Sequence, residues 1–163
     1  MNDVQSVSWQ QTKVQMTQIV LPSHTNNHGT AFGGQIAAWC DICAAVSAQR
    51  FCRSPVVTAS MDELHFGSPI KRGMVVILDA TVNRAWRSSM EVGVRVTTED
   101  PITGVRALCC EAFLTFVAIG DDAVPIAVPT LDIESDSDAQ VRFGEAQARR
   151  DARLAARAKR SAT

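Results

Sequence analysis

The sequence predicts an α+β domain in which about five antiparallel strands wrap around one long buried helix. Three observations carry that prediction. Residues 33–50, GGQIAAWCDICAAVSAQR, are rich in alanine, lack proline and open on a glycine pair, which reads as a helix. Four runs with strand chemistry follow, at residues 56–66, 74–86, 90–98 and 105–119, and their short connections favour antiparallel pairing. The chain has 163 residues, with no internal repeat and no low-complexity linker, enough for a single core.

Taken in order, residues 14–20 (VQMTQIV) form a plausible first strand, and residues 22–29 are polar and turn-rich. Between Gly34 and Gln49 the only charged residue is Asp41. A helix that is apolar nearly all round is expected to be buried nearly all round. The run at 56–66 stops at Gly67, Ser68 and Pro69, and that at 90–98 stops at the turn sequence EDPITG. In the run at 105–119, Leu108, Cys110, Ala112, Leu114 and Phe116 alternate with Cys109, Glu111, Phe113 and Thr115, which sends the neighbouring cysteines to opposite faces. Acidic residues then alternate from Asp132 to Asp138, and residues 140–160 read as a polar helix with a strongly basic end. The expected organisation is an extension at 1–13, a domain at 14–130 and a charged helical tail at 131–163.

Composition narrows the function classes. Sixteen basic and seventeen acidic residues leave a net charge of −1, which excludes a globally basic nucleic-acid binder. The tail helix alone has two readings: a helix touching phosphate, or a solvated helix whose cations complement its dipole. No apolar run reaches the roughly 18–20 residues of a membrane span, so none is expected. The start of the chain lacks the basic-then-apolar order of a signal peptide, and the expected location is cytoplasmic. Five cysteines, an odd number in apolar surroundings, read as reduced core fillers; Cys40 and Cys43 have C-x-x-C spacing but no second ligand pair. His24, His28 and His65 are scattered, so no metal is expected.

Asp41 is the most informative residue. A carboxylate inside an apolar helix is costly unless it is hydrogen-bonded, paired or facing a cleft. It is therefore either structurally satisfied or poised as a general base or nucleophile. The pair Gly33–Gly34 at the helix start supports the second reading, because free N–H groups at the positive end of the dipole can stabilise an oxyanion.

Residues 25–41, TNNHGTAFGGQIAAWCD, resemble the N-x-x-G-x-x-[HF]-G-G…D segment of the hotdog-fold acyl-CoA thioesterases. The likeness is to the acyl-CoA hydrolase branch that includes brain-type acyl-CoA hydrolase and its short bacterial relatives. It continues in VTASMDELHFGSPIKRG (57–73), RAWRSSMEVGVRV (84–96), AFLTFVAIG (112–120) and VPTL (128–131), and so covers residues 14–160. The resemblance implies a hotdog fold, with the sheet curled around the long helix. It also implies a homodimer as the minimal active unit, with hexamers built as trimers of dimers occurring in the branch. Asn26 then matches the asparagine that positions water or thioester. Gly33 matches the glycine whose N–H polarises the carbonyl, and Asp41 the catalytic carboxylate. Thr58 falls where relatives carry a supporting Ser or Thr. Phe32 stands where many relatives have histidine, and is read as packing.

For coenzyme A, the resemblance points to Arg84, Arg87, Ser88 and Ser89, beside Trp86. Arginine and hydroxyl donors suit its phosphates, although the same residues would serve an ordinary polar turn. The implied reaction is hydrolysis of fatty acyl-CoA to free fatty acid and coenzyme A, through an Asp41-activated water or an anhydride on Asp41. No cofactor is needed, because coenzyme A is part of substrate and product. Two alternatives share the fold. A non-catalytic acyl-CoA sensor should lack the buried acid and would usually carry a DNA-binding element. A hydratase or dehydratase would need a catalytic histidine that this helix does not have.

Overall fold

A computed structural model describes residues 6–62, 64–134 and 136–161. In chain order the elements are β1 (Ser6–Ser8), a 3₁₀ turn (Trp9–Thr12), β2 (Val14–Ile19), a second 3₁₀ turn (Pro22–His24), α1 (Gly33–Cys52), β3 (Val56–Met61), β4 (Val75–Ala85), β5 (Ser89–Glu99), β6 (Arg106–Ala118), β7 (Thr130–Asp132) and α2 (Ser137–Ser161). Five strands pair antiparallel in the order β2-β4-β5-β6-β3, and α1 packs against all five. This is the expected α+β architecture.

Period-two alternation builds the inner face of the sheet. Val76, Leu78, Ala80 and Val82 from β4, Met90, Val92, Val94 and Val96 from β5, and Ala112, Leu114, Phe116 and Ala118 from β6 are all buried. Against them α1 presents Ile36, Cys40, Cys43, Ala44, Ser47, Ala48 and Phe51, a helical stripe of mostly small side chains. The stripe ends where Arg53 takes a left-handed conformation (φ 52°) and donates its N–H to the Gln49 carbonyl at 2.8 Å.

The structure corrects the sequence reading in four places. First, α1 is not buried all round. Gly34, Ala38, Ile42 and Val46, four residues apart, form an uncovered apolar stripe, with Ile42 54% exposed. Second, the strand expected over 56–66 ends at Met61, because the chain leaves β6 after the Asp62 N–H meets the Phe113 carbonyl. Third, Cys109 and Cys110 do not divide between faces. Val96 pairs with Cys110 and Thr97 with Leu108, so Cys109 is the extra residue of a bulge, and both thiols are buried. Fourth, the chain ends are joined: β1 and β7 pair in parallel, each only three residues long and too short for periodicity to reveal.

The tail helix is not a solvated rod either. α2 packs against β4 and buries Ala139 and Ala146. Its anchor is Arg149, whose Nη2 and Nε donate to Oε1 and Oε2 of fully buried Glu91 at 2.7 and 3.1 Å. Asn83 Nδ2 donates to the same carboxylate at 3.1 Å, and the guanidinium lies 3.7 Å from the Phe113 ring centroid. Further along, Arg153 bonds Asp62 at 2.7 Å, while residues 154–160 are exposed.

All five cysteines are free and buried. Burial, followed by the nearby Cys43, pushes the Cys40 thiol up to about 12; burial, followed by Asp79, pushes Cys43 up to about 11. Cys43 Sγ also points at the Leu78 carbonyl, 3.6 Å away. Neither thiol of the C-x-x-C pair is therefore a thiolate near neutral pH, and the pair is unsuited to redox exchange.

Three outcomes follow. Arg149→Ala leaves the Glu91 carboxylate buried without its cation and is expected to cost about 3–5 kcal/mol, read as a fall in the urea midpoint. Arg160→Ala, on the exposed end, should stay within about 0.5 kcal/mol of the parent. In DTNB titration at pH 8, Cys40 and Cys43 should stay unreactive in the native chain, and all five thiols should react in denaturant. Rapid native labelling of either would contradict the burial of that pair.

Candidate active site

The loop before α1 is a closed unit. Thr25 bridges Ala31, Thr30 bridges Lys71, and the Ala31 N–H donates to the Ile70 carbonyl at 2.7 Å. Asn26 organises this loop. Its Oδ1 accepts the N–H groups of His28 (2.9 Å) and Thr30 (3.3 Å), and its Nδ2 reaches Thr30 Oγ1 at 3.0 Å. Such a turn wraps the backbone around an Asx side chain and here needs Gly29 at φ +73°. His24 closes the other side: its Nδ1 accepts the Leu21 N–H at 3.1 Å and its ring meets Trp39 edge-on. A histidine accepting through Nδ1 there is a structural piece of the loop.

The loop delivers the chain to α1 with Gly33 and Gly34 in its first turn. The first intrahelical bonds are those of the Gln35 and Ile36 N–H groups to the Phe32 carbonyl, so the two glycine N–H groups stand ahead of the ladder at the positive dipole end. Phe32 is 60% exposed, and its ring lies across the helix start: a Cβ on Gly34 would come within 2.4 Å of it. Gly33 borders a cleft of about 330 Å³ lined by Ile36, Phe66, Pro69 and Ile70.

Asp41 stands eight positions further along α1, about 12 Å at 1.5 Å per residue. It is half-buried, at the edge of the uncovered stripe beside Ala38 and Ile42, and so faces outward from the core. Thr58 Oγ1 donates to Asp41 Oδ1 at 2.7 Å. A register shift in β3 between Thr58 and Ser60 sits next to this contact, as bulges do where a strand re-aims a side chain. The fold thus joins Asp41 to Thr58 and places Asn26 just before Gly33. It does not bring the two pairs together within one chain.

The four coenzyme candidates divide as well. Arg87 is exposed and Ser88 half-exposed in the turn between β4 and β5, and Ser89, also half-exposed, is the first residue of β5. This turn lies where α1 finishes, since Ser89 pairs with Val117 and Val117 with Val57 at the start of β3. Arg84 points elsewhere: its Nη1 donates to the Phe143 carbonyl at 3.1 Å and it stacks on that ring at 4.0 Å. Sequence reasoning missed the partners from α2, among them Gln147, which accepts the Trp86 indole N–H at 3.0 Å. The available signal was the spacing of Phe143, Gln147 and Arg150 on one helical face. Among the described residues, no three His, Cys, Asp or Glu side chains converge as a metal site.

Residues 28–105 match the thioesterase superfamily model. The chain is 42% identical over 128 residues to YkhA of Bacillus subtilis, named an uncharacterized acyl-CoA thioester hydrolase, covering 78% of this chain and 74% of that one. It is 49% identical over 107 residues to acyl-coenzyme A thioesterase 11 of Mus musculus, covering 66% of this chain but only 18% of the mouse protein. Its fold matches an acyl-CoA hydrolase from Staphylococcus aureus solved with butyryl coenzyme A and coenzyme A, with a TM-score of 0.89 and 34% identity over 96% of this chain and 95% of that one. It also matches an apo-hexameric acyl-CoA thioesterase, with a TM-score of 0.90 and 36% identity over 95% and 99% of the two chains. The staphylococcal enzyme has been solved with alanine replacing one asparagine, one aspartate and one threonine, spaced along its chain as Asn26, Asp41 and Thr58 are here. On the extent and identity of these matches, the chain belongs to the acyl-CoA thioesterases of the thioesterase superfamily.

Proposed function

We propose that this chain hydrolyses acyl-coenzyme A to a carboxylic acid and coenzyme A, at sites assembled from two copies. The observation that carries the proposal is the Asp41 carboxylate, held by Thr58 and facing outward about 12 Å along α1 from the Gly33 N–H. A thioester carbon must lie within about 3–4 Å of both the oxyanion donor and the activated water or carboxylate. One helix cannot meet both demands. Two antiparallel helices related by a twofold axis can, with Asn26 and Gly33 of one protomer facing Asp41 and Thr58 of its partner.

The surfaces such a pair requires are present. The apolar stripe of Ala38, Ile42 and Val46 is uncovered, and β3 is an edge strand of the five-stranded sheet with Met61 and Val57 partly exposed. An apolar helix face beside an unpaired strand edge favours burial against a second copy. Assembly of three such dimers into a hexamer is our reading by likeness to the hexameric relative. A cytoplasmic location is supported by five unpaired thiols and by relatives named cytosolic, one from Rattus norvegicus at 32% identity. No described helix is long and apolar enough to cross a membrane.

In the reaction, the thioester carbonyl lies against the Gly33 N–H, where the helix dipole stabilises the developing oxyanion. Asp41 takes a proton from water as its oxygen bonds to the carbonyl carbon, and collapse breaks the C–S bond, with the proton passing to the leaving thiolate. In the second route an Asp41 oxygen bonds to the carbonyl carbon and the C–S bond breaks, expelling the coenzyme A thiolate and leaving an anhydride. Water then cleaves the anhydride, releasing the carboxylic acid, restoring the Asp41 carboxylate and giving its proton to the thiolate. Thr58 orients the carboxylate in both, and Asn26 positions water or thioester. The Arg87 guanidinium with the Ser88 and Ser89 hydroxyls holds the coenzyme's phosphates; Arg84 contributes by fixing the strand that leads into their turn.

Asp41→Ala should lower kcat by about 10²–10⁴ in a thiol-release assay with the fold intact. Mixing inactive Asn26→Ala and Asp41→Ala chains should restore activity, because each mixed dimer holds one intact site. With subunit exchange shown by co-purifying tags, a mixture as dead as its parents would sink the shared site. Arg87→Ala should raise KM for acyl-CoA more than it lowers kcat, and added salt should weaken binding. An unmoved KM would place the phosphates elsewhere.

A further inference from the structure

The turn between β4 and β5 is fixed from two directions. Its backbone is held by the sheet side: the Trp86 N–H donates to the Ser89 carbonyl at 2.8 Å, Arg87's carbonyl accepts from Val128 N–H at 3.0 Å, and Ser88's carbonyl accepts from Ala118 N–H at 3.0 Å. Among the described residues, no side-chain hydrogen bond or ion pair within the chain engages Arg87, Ser88 or Ser89; Arg87 is exposed and the two serines are half-exposed, so all three are accessible to an anion.

The second direction is α2. The indole Nε1–H of Trp86 donates to Gln147 Oε1 at 3.0 Å, and Gln147 Nε2 donates in turn to Asp151 Oδ1 at 2.8 Å. That second bond decides which end of the amide faces the indole. Arg150, three residues on, lies over the Trp86 ring at 4.6 Å, and Phe143, four residues back, holds Arg84. Three successive positions on one face of α2 therefore grip the strand end immediately before Arg87. Of the basic residues on α2, Arg150 is the one that enters these contacts.

We infer that α2 sets the affinity for the nucleotide end of the substrate, with Gln147 as a positioning residue that acts through Trp86 on Arg87 and the two serines. The inference rests on the coenzyme site proposed above. The two helices then have separate roles. α1 meets the thioester, and α2, on the opposite face of the sheet, determines how firmly the phosphates are held. Losing one hydrogen bond from such a brace loosens the turn without touching Gly33 or Asp41.

The test compares two substrates carrying the same acyl group, acyl-coenzyme A and the corresponding N-acetylcysteamine thioester, which has the thioester but no nucleotide. For Gln147→Leu and Gln147→Ala, KM for acyl-CoA should rise about three- to tenfold, the range set by one lost hydrogen bond. Turnover at saturation should stay within about twofold, and kcat/KM for the truncated thioester should not change. Coenzyme A binding measured by calorimetry should weaken by the same factor. Equal losses on both substrates would show a general structural defect and overturn the inference, as would parental KM values in both variants. A parent chain that cleaves neither thioester and binds no coenzyme A would overturn the hydrolase reading and this inference with it.

Discussion

Everything in this molecule depends on one helix being close-packed on one side and bare on the other. The sheet can curl around α1 because the buried stripe is made largely of small groups: Cys40, Cys43, Ala44, Ser47 and Ala48 let five strands approach, with Phe51 and Ile36 filling the ends. Bulkier residues along that stripe would hold the sheet away and flatten its curvature. The opposite side needs different chemistry. Asp41 sits at the boundary between the two, close enough to the sheet to receive the Thr58 hydroxyl and far enough out to escape the desolvation that full burial would impose on a carboxylate. The position of the acid follows from the way the helix is packed.

The second face of the sheet solves a different problem. Glu91 is a fully buried charge in the middle of the sheet, tolerable because Arg149 and Asn83 supply three hydrogen bonds to it. That pairing fixes α2 in register along β4, and the register determines which residues of α2 reach the turn at Trp86 and which reach Asp62. Burial pushes the Asp62 carboxyl above its ordinary range even with Arg153 beside it. A buried ion pair, beside a small apolar contact, anchors this helix. Its apolar contribution is limited to Ala139, Ala146 and part of Phe143.

The sheet and both helices were legible in the sequence because their signals are local: alternation in β4, β5 and β6, and a proline-free alanine-rich run in α1. What could not be read was anything fixed by contacts distant in sequence. The alternation around Cys109 gives no sign that a bulge will bury both neighbouring thiols. β1 and β7 are three residues each and exist only because the fold brings positions 6–8 to 130–132. The exposed stripe on α1 consists of Gly34, Ala38, Ile42 and Val46, residues that composition alone assigns to a core. Among the candidate residues, motif and resemblance single out Asn26, Gly33, Asp41 and Thr58, and the geometry adds the Thr58–Asp41 bond. Arg84 and Arg87 look equivalent on paper, three residues apart and equally basic. The bulge between Val82 and Arg84 and the presence of α2 give them separate surroundings.

The edge of β3 has a bearing on how such a chain reaches its working form. Along that six-residue edge, alternate residues point N–H and C=O groups away from β6, where the five-stranded sheet has no further strand. Beside them lies the bare stripe of α1. Before a second copy arrives, these two surfaces are as ready to accept a foreign extended segment as the proper one. If the chain pairs as proposed, folding and pairing are steps of one process, and the folded chain gains stability by mass action as its own concentration rises. Dilute nascent chains would be the vulnerable species, open to chaperone capture or to the wrong neighbour. In the proposed pair, the feature that would give the carboxylate its opposing surface thus also makes the monomer the least safe state of the molecule.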